Sequence, residues 1–405
     1  MSYLGSHLPV RECAQFTIVQ PYTLKTSMNT AAAIPQTSSG EAAQSSVQRP
    51  KTAPPLARGA ESCPAVKLLP AYDYAVSIIV VSYNTQSLLR DCIQSILAEC
   101  ERLPAGRTAE ILVVDNASDD GSPEMVEREF AGSLSPVKLI RSQINLGFAA
   151  ANNLAMEAAR GRYLVLLNSD ALFKSGTLRL AMQHMDANTT VGVGGARLVG
   201  PNGEWQPSAR AFPTLWHAFV VLSGLASRYP KSRIFGAFDR TWASADFQAD
   251  VDWVPGAFSI MRREALVKTG LFDPKFFLYS EEVDLCRRMK AKGFRVLYWP
   301  DVVVTHIGGE SSRQLTTLKF SDSESQVVLW RMRSTLLYFR KHHGIRVWGI
   351  RWLEDAMHVL RWLRNFMSKE PGRRVRAEEA KLFLSLMRQA WKETKGGRVS
   401  PPRPW

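Results

Sequence analysis

An α/β fold, with a mostly parallel sheet flanked by helices and a helical C-terminal tail, is predicted by three features of the sequence. Short β-branched apolar runs alternate with stretches of helical period from residue 76 to about residue 170. The apolar runs barely alternate in polarity, as expected of strands covered on both faces. From residue 326 onward, apolar positions recur at helical spacing, and Lys and Arg outnumber Asp and Glu by 18 to 6.

Residues 1–72 are rich in Ser, Thr, Ala, Pro and Gln without sustained periodicity, the composition of a disordered leader. "VSIIVVSY" (76–83) reads as a buried strand. "SLLRDCIQSILAEC" (87–100) reads as a helix with Leu89, Ile93, Ile96 and Cys100 on one stripe. "EILVVD" is a second strand ending at Asp115, and Ser122-Pro123 an N-cap followed by Pro at the first helical position. "VKLIRS" is a third strand, and "GFAAANNLAMEAARG" a helix closed by Gly161. "RYLVLLNSD" is a fourth strand, ending at Asp170. Beyond Val191 the rhythm changes, with strands around the turn Gly200-Pro201-Asn202-Gly203. "VDWVPGAFSIMRREAL" gives a strand, a Pro-Gly loop and a helix. A further helix runs from near Ser280 to Gly293, followed by the strand "FRVLYW" and the segment "DVVVTHIGGES". Two amphipathic helical regions make up the tail. The expected organisation is a leader (1–72), an α/β domain (73–325, in two halves divided at about 190) and a basic helical tail (326–405).

The formal charge is +14, of which residues 326–405 carry +12. Nucleic-acid binding is therefore not a property of the main body, and a basic partner surface belongs to the tail. Cys13, Cys63, Cys92, Cys100 and Cys286 include no C-x-x-C pair, which argues against a disulfide framework or zinc site. No apolar run reaches the length of a membrane span. The expectation is a cytoplasmic protein able to sit peripherally on the inner face of the plasma membrane.

In an open α/β sheet, ligands bind beyond the C-terminal ends of the strands. Such ends here carry Ser82 and Asn84, Asp115 and Asn116, and Asn168, Ser169 and Asp170. None of these loops is a Gly-rich phosphate cradle, so a bound diphosphate needs another counter-charge, such as a divalent cation with oxygen ligands. Asp170 suits that task, although capping a turn is the more ordinary use of Asp there. His306 is either a packed, hydrogen-bonded residue or a metal ligand. In "FFLYSEEVDLCRRMKAKG", helical spacing puts Glu282 with Leu285, Cys286 and Met289 on the inward face. Glu281 and Asp284 fall on another face, within reach of Arg287 and Arg288. An inward carboxylate kept ionised by the helix dipole suits general-base work, and first-turn carboxylates that stabilise a helix start are the structural alternative.

The segments "VSIIVVSYN", "ILVVDNASDDGS", "NLGFAAANN", "YLVLLNSDALF", "VPGAFSIMRREAL" and "GLFDPKFFLYSEEVDLCRRMKAKGFRVLYWPDVVVTHIGGES" occur in order. Over about Val76 to Arg340 the chain resembles a family 2 glycosyltransferase with the GT-A-type nucleotide-diphospho-sugar transferase fold, in its bacterial rhamnosyltransferase-like branch. The resemblance implies a dTDP-, UDP- or GDP-linked sugar donor, a Mg2+ or Mn2+ ion, and an inverting single displacement. It implies nucleotide contact by Asp115, with Ser82 and Asn84 beside it and Asn116, Asn145, Gly147, Asn168 and Ser169 in the donor site. Asp170, the last Asp of a D-x-D motif whose first position is Asn168 here, and His306 are the implied metal ligands. Glu282 stands where an Asp base is usual, with Glu281 as its rival and Asp284 in the same catalytic group.

The aromatic segment from Trp205 to Trp253 is expected to shape the acceptor site. The resemblance further implies a glycan or polyprenyl-diphosphate-linked acceptor in cell-surface polysaccharide synthesis. Transfer of a single sugar is expected, because the Q-x-x-R-W motif of processive relatives does not occur. The rival readings are a sugar-nucleotidyltransferase and a non-catalytic sugar-nucleotide-binding protein. In the tail, "IRVWGIRWLEDAMHVLRWLRNFM" places Leu353, Met357, Leu360, Leu363 and Met367 on one face among Arg and Trp. It reads equally as a helix lying on an anionic membrane surface or as one packed on the catalytic domain.

Overall fold

The computed structural model describes residues 72–308, apart from 131 and 133, and residues 323–401, apart from 369. All of them belong to one compact unit, Leu56–Trp405. The predicted leader lies outside the described residues except for Tyr72.

The first half alternates strand and helix as expected: β1 (Tyr74–Ser82), α1 (Gln86–Cys100), β2 (Ala109–Asp115), α2 (Ser122–Glu129), β3 (Val137–Arg141), α3 (Gly147–Ala158) and β4 (Gly161–Asn168). β5 (Ala171–Phe173), α4 (Thr177–Ala187), β6 (Val191–Val199), β7 (Trp205–Gln206), α5 (Leu215–Leu222) and α6 (Leu225–Arg228) follow. β8 (Ala249–Asp250), β9 (Phe258–Arg262), α7 (Arg263–Thr269), α8 (Glu281–Ala291) and β10 (Arg295–His306) complete the sheet. Among the described residues the tail holds three α-helices rather than two: α9 (Ser323–His343), α10 (Val347–Phe366) and α11 (Pro371–Glu393).

The ten strands form one sheet in the order β3-β2-β1-β4-β9-β6-β10-β5, with β7 on β6 and β8 on β10. β1 pairs in parallel with β2 and β4, β2 with β3, and β6 with β10. β9 is antiparallel to both β4 and β6, so β6 regains the direction of β4. The C-terminal ends of β1, β2, β3, β4, β6 and β10 therefore gather on one edge. The core is continuous: Ile78, Val80, Ile111, Val113, Val165 and Ile260 on the strands, and Leu89, Ile93 and Ile96 on α1, are all fully buried. Each such side chain contributes about 1.5–3 kcal/mol relative to exposure.

Three local readings change. α2 is capped by Gly121, with Ser122 already inside the helix, its hydroxyl donating to Asp120 Oδ1 at 2.6 Å. Gly161 begins β4 rather than closing α3, and a Cβ there would meet Ser77 N at 2.3 Å. β9 follows the Pro255-Gly256 loop instead of preceding it. It ends in Arg262, whose buried guanidinium donates to the carbonyls of Val191, Met185 and Asn188. A charged residue so used hides a strand from pattern reading.

The predicted tail is continuous with the catalytic unit. Ser334 on α9 donates to the Leu278 carbonyl at 2.7 Å, and Arg287 on α8 donates to Tyr338 Oη at 3.0 Å. Asp284, fully buried, meets Arg288 Nε at 2.8 Å, Lys341 Nζ at 2.8 Å and His342 Nε2 at 2.7 Å. Burial alone would raise the Asp284 pKa. The His342 hydrogen bond and the Arg288 and Lys341 charges outweigh it and hold the carboxyl well below its usual range. Burial meanwhile lowers the His342 pKa, against the Asp284 hydrogen bond and charge that raise it.

Asp284→Asn is expected to cost about 3–5 kcal/mol, the usual penalty for removing one partner from a buried ionic cluster. The sign with pH follows from the depressed folded pKa. The Asp284 contribution is present above the unfolded carboxylate pKa of about 3.9 and is lost as pH falls through the folded value. Urea melts from pH 3 to pH 7 would show the gap between wild type and variant closing toward acid. A gap independent of pH would mean that the ionic contacts do not supply it.

Candidate active site

Strand pairing brings Asp170 and His306 together. β5 runs antiparallel to the end of β10 with Ala171 opposite His306, and Ile307 N donates to the Asp170 carbonyl at 2.9 Å. His306 Nε2 stands 3.5 Å from Asp170 Oδ1 and 3.5 Å from Asn168 Nδ2. On the other side of the ring, His306 Nδ1 lies 2.8 Å from Gln206 Oε1, while Gln206 Nε2 donates to the His306 carbonyl at 2.9 Å. That second bond fixes the amide so that Oε1 faces the ring. Oε1 can only accept, so Nδ1 carries the proton and Nε2 keeps its lone pair on the Asp170 side.

This donor set fits a divalent cation. Two ligands at about 2.1 Å from one ion, at a right angle, stand roughly 3 Å apart. Among the described residues no cluster of three or more His, Cys, Asp or Glu could hold a metal. A cation here would have Asp170 and His306 as protein ligands and would need oxygens of a bound diphosphate to complete its shell. Gln206 was not singled out from sequence. Only the β6–β7 hairpin, with Leu198 opposite Gln206, reveals it. Gln206→Ala is expected to weaken Mn2+ binding in the presence of a nucleoside diphosphate by about 10–100-fold. The check is free Mn2+ measured by electron paramagnetic resonance, and unchanged affinity would show that the ring is oriented without it.

The loops at the other strand ends divide into bracing residues and open ones. The hydroxyls of Ser82 and Thr85 lie 2.9 Å apart, and Thr85 Oγ1 donates to Ser169 Oγ at 2.9 Å. Asn84, at φ +53°, donates its N–H to Ser118 Oγ at 3.0 Å and accepts from Asp119 N at 2.9 Å. Asn116 donates to Asn145 Oδ1 at 2.9 Å and accepts from Leu146 N at 2.8 Å. Gly147, at φ +78°, lets α3 approach the segment before α8, since a Cβ would meet the Phe277 carbonyl at 2.4 Å. These six predicted donor-site residues hold the loops around the site. Asp115 keeps a group open. Asp115 Oδ2 accepts from Ser118 N at 3.2 Å, while the buried Oδ1 has no protein partner. Burial pushes the Asp115 pKa up. An unpaired buried carboxylate oxygen at a strand end suits a ligand N–H or O–H.

Two consecutive residues with positive φ, Tyr279 at 72° and Ser280 at 68°, precede α8. Such conformations are costly for non-Gly residues and persist where the surrounding fold fixes them. They turn Glu281 and Glu282 into the interior. The predicted division of α8 into an inward and an outward face does not hold at its start: Glu281 is 2% exposed and Asp284 fully buried, while Glu282 is partly exposed. The sheet covers one side and α9 the other, and the sequence pattern of α8 carries no sign of α9. Arg288 does pair with Asp284, but Arg287 turns to Tyr338 instead.

Glu281 Oε2 and Glu282 Oε2 are both buried without a hydrogen-bond partner. Burial raises both pKa values. The Glu282 charge raises Glu281 further, whereas the Arg210 charge and the Gly256 N–H oppose the rise at Glu282. Desolvation thus overrides the expected dipole effect. The Ala257 carbonyl, one residue beyond Gly256, accepts from Asn168 N at 3.2 Å, so the Pro255–Ala257 loop is tied to the start of the Asn168–Asp170 turn.

The fold is a GT-A-like mixed α/β sheet of ten strands flanked by helices. Residues 77–269 match the family model described as Glycosyl transferase family 2, so the chain carries a family 2 glycosyltransferase domain. It is 24% identical over 318 residues to the N-acetylglucosaminyl-diphospho-decaprenol L-rhamnosyltransferase of Mycobacterium tuberculosis, covering 75% of this chain and 96% of that one. It is 23% identical over 279 residues to the rhamnosyltransferase WbbL of Escherichia coli, covering 66% and 93% respectively. A mannosyltransferase from Pyrobaculum calidifontis, solved with GDP-Man and Mn2+, superimposes with a TM-score of 0.48 at 19% identity, covering 82% of this chain and 91% of that one.

Proposed function

We propose that this glycosyltransferase moves a single L-rhamnose, with inversion, from a nucleotide-diphospho-sugar to a polyprenyl-diphosphate-linked acceptor in cell-surface polysaccharide synthesis. The observation that carries the reading is the pairing of β5 with the end of β10, which brings Asp170 and His306 together on the sheet edge. A donor diphosphate with its cation fits there, and Glu282 at the start of α8 supplies the carboxylate.

In this mechanism Asp115 Oδ1 receives a polar hydrogen of the nucleoside. Asp170 and His306 would hold a divalent cation, which when bound would supply the counter-charge for the departing diphosphate. Glu282 accepts the proton of the acceptor hydroxyl as its oxygen bonds to the anomeric carbon and the bond to the diphosphate oxygen breaks. One displacement inverts the configuration, and no residue needs to become glycosylated. Glu281, the more buried of the pair, keeps the local environment one in which a proton is readily held. Rhamnose is chosen because both relatives named above are rhamnosyltransferases.

The test is a donor panel of dTDP-rhamnose, UDP-hexoses and GDP-mannose, with a polyprenyl-diphosphate-linked N-acetylglucosamine acceptor. The expected result is metal-stimulated transfer from dTDP-rhamnose. Nucleotide binding by calorimetry, without hydrolysis or transfer from any donor, would favour the non-catalytic reading instead.

A further inference from the structure

α10 is inside out. The residues it turns inward include Glu354, His358 and Asn365, all buried, with His358 Nε2 3.4 Å from Glu354 Oε2. The residues it turns outward are apolar: Trp352, Leu360, Leu363, Phe366 and Met367 are each more than half exposed, Met367 at 87%. At 100° per residue, Trp348, Trp352, Val359, Leu363 and Phe366 fall in a band about 60° wide, and Leu360 and Met367 widen it to about 120°. No charged residue lies within that band. The sequence-predicted stripe is corrected accordingly, because Leu353 and Met357 are half-buried while Trp352 and Phe366 replace them on the open face.

The apolar surface adjoins α5, "LWHAFVVL", where Leu215 packs over Gly349 and Trp216 stays 46% exposed. Trp216 in turn lies 6.3 Å from the Phe235 ring, next to the exposed Ile234. Cations border both ends. Arg364, Arg373 and Arg374 stand exposed beyond the C-terminal half of the band. Lys231 and Arg233, with Arg240 and Trp242, line a cleft of about 420 Å³ on the α5 side. Tryptophans, aliphatic side chains and a rim of Arg and Lys on one face match the boundary between lipid headgroups and acyl chains. No helix among the described residues is long and apolar enough to cross a membrane.

We propose that the outward face of α10, with α5 beside it, is a docking surface for an anionic bilayer, on which the helix lies in the plane of the interface. It would hold the catalytic edge next to a lipid-linked acceptor. The surface itself depends on neither the metal nor the base assigned above, and only its use for an acceptor rests on the proposed function.

Sedimentation of the full chain with vesicles tests it without any turnover. The protein is expected to pellet with phosphatidylglycerol-containing vesicles and to pellet less with pure phosphatidylcholine. Raising salt should weaken the binding without abolishing it, since charge is screened and apolar burial is not. Trp352→Ser with Leu363→Ser, at exposed positions where folding is not at stake, is expected to lower partitioning about tenfold or more. Circular dichroism and donor hydrolysis should stay unchanged. Wild-type protein that ignores anionic vesicles at low salt would overturn the proposal, as would a double variant that binds like wild type. So would a wild-type dimer that the double substitution dissociates without changing vesicle binding, because the face would then join two copies of the chain.

Discussion

Glu282→Gln is expected to lower turnover by about two to four orders of magnitude, the usual contribution of a positioned general base. The amide keeps the shape and cannot take a proton, so donor binding should survive. Burial raises the Glu282 pKa, and the base works only when ionised. The acid limb of the wild-type kcat profile should therefore lie above the ordinary carboxylate range, and the variant should lose that limb. Glu281→Gln should do less, because Glu281 is the more enclosed of the two and Glu282 is the one partly open to an acceptor. If Glu281→Gln were the deadlier change and Glu282→Gln kept near-normal turnover, the roles would be exchanged.

Asp170→Ala is expected to remove metal-stimulated activity and Mn2+ binding together. Asp170 is 5% exposed, and its carbonyl already serves the backbone of Ile307, so the strand pairing should persist without the carboxylate. His306→Ala should reduce Mn2+ affinity with a smaller loss, since one carboxylate ligand and the donor diphosphate would remain. Binding measured on the nucleoside-diphosphate complex separates these effects from catalysis. Unchanged Mn2+ affinity in both variants would take the cation out of the account.

Much of the fold was legible because its signals are local. Unbroken apolar runs such as "VSIIVV" and "EILVV" mark doubly covered strands, and the elements from β1 to β4 follow them closely. β9 was not, because five buried residues ending in an arginine carry no period, and the charge is satisfied by carbonyls from distant parts of the chain. Asp170 and His306 could be singled out by their places after apolar runs, but their meeting depends on β5 turning back along β10. Gln206, on a two-residue strand, had no signal at all. The burial of Glu281 and Asp284 comes from α9, some fifty residues later, whose Lys341 and His342 reach back to α8. On α10 the helical period was plain, but which side faced the protein was not, because Glu354, His358 and Asn365 are buried along with Val347 and Ile350.

The central claim is a single displacement assisted by Glu282 at this sheet edge, and stereochemistry tests it most directly. With dTDP-β-L-rhamnose as donor and a polyprenyl-diphosphate-linked N-acetylglucosamine acceptor, proton NMR of the product reports the configuration of the new anomeric carbon. The account predicts an α-L-rhamnoside, formed by the wild type and nearly absent with Glu282→Gln. A β-L-rhamnoside would show that configuration is retained and would contradict it.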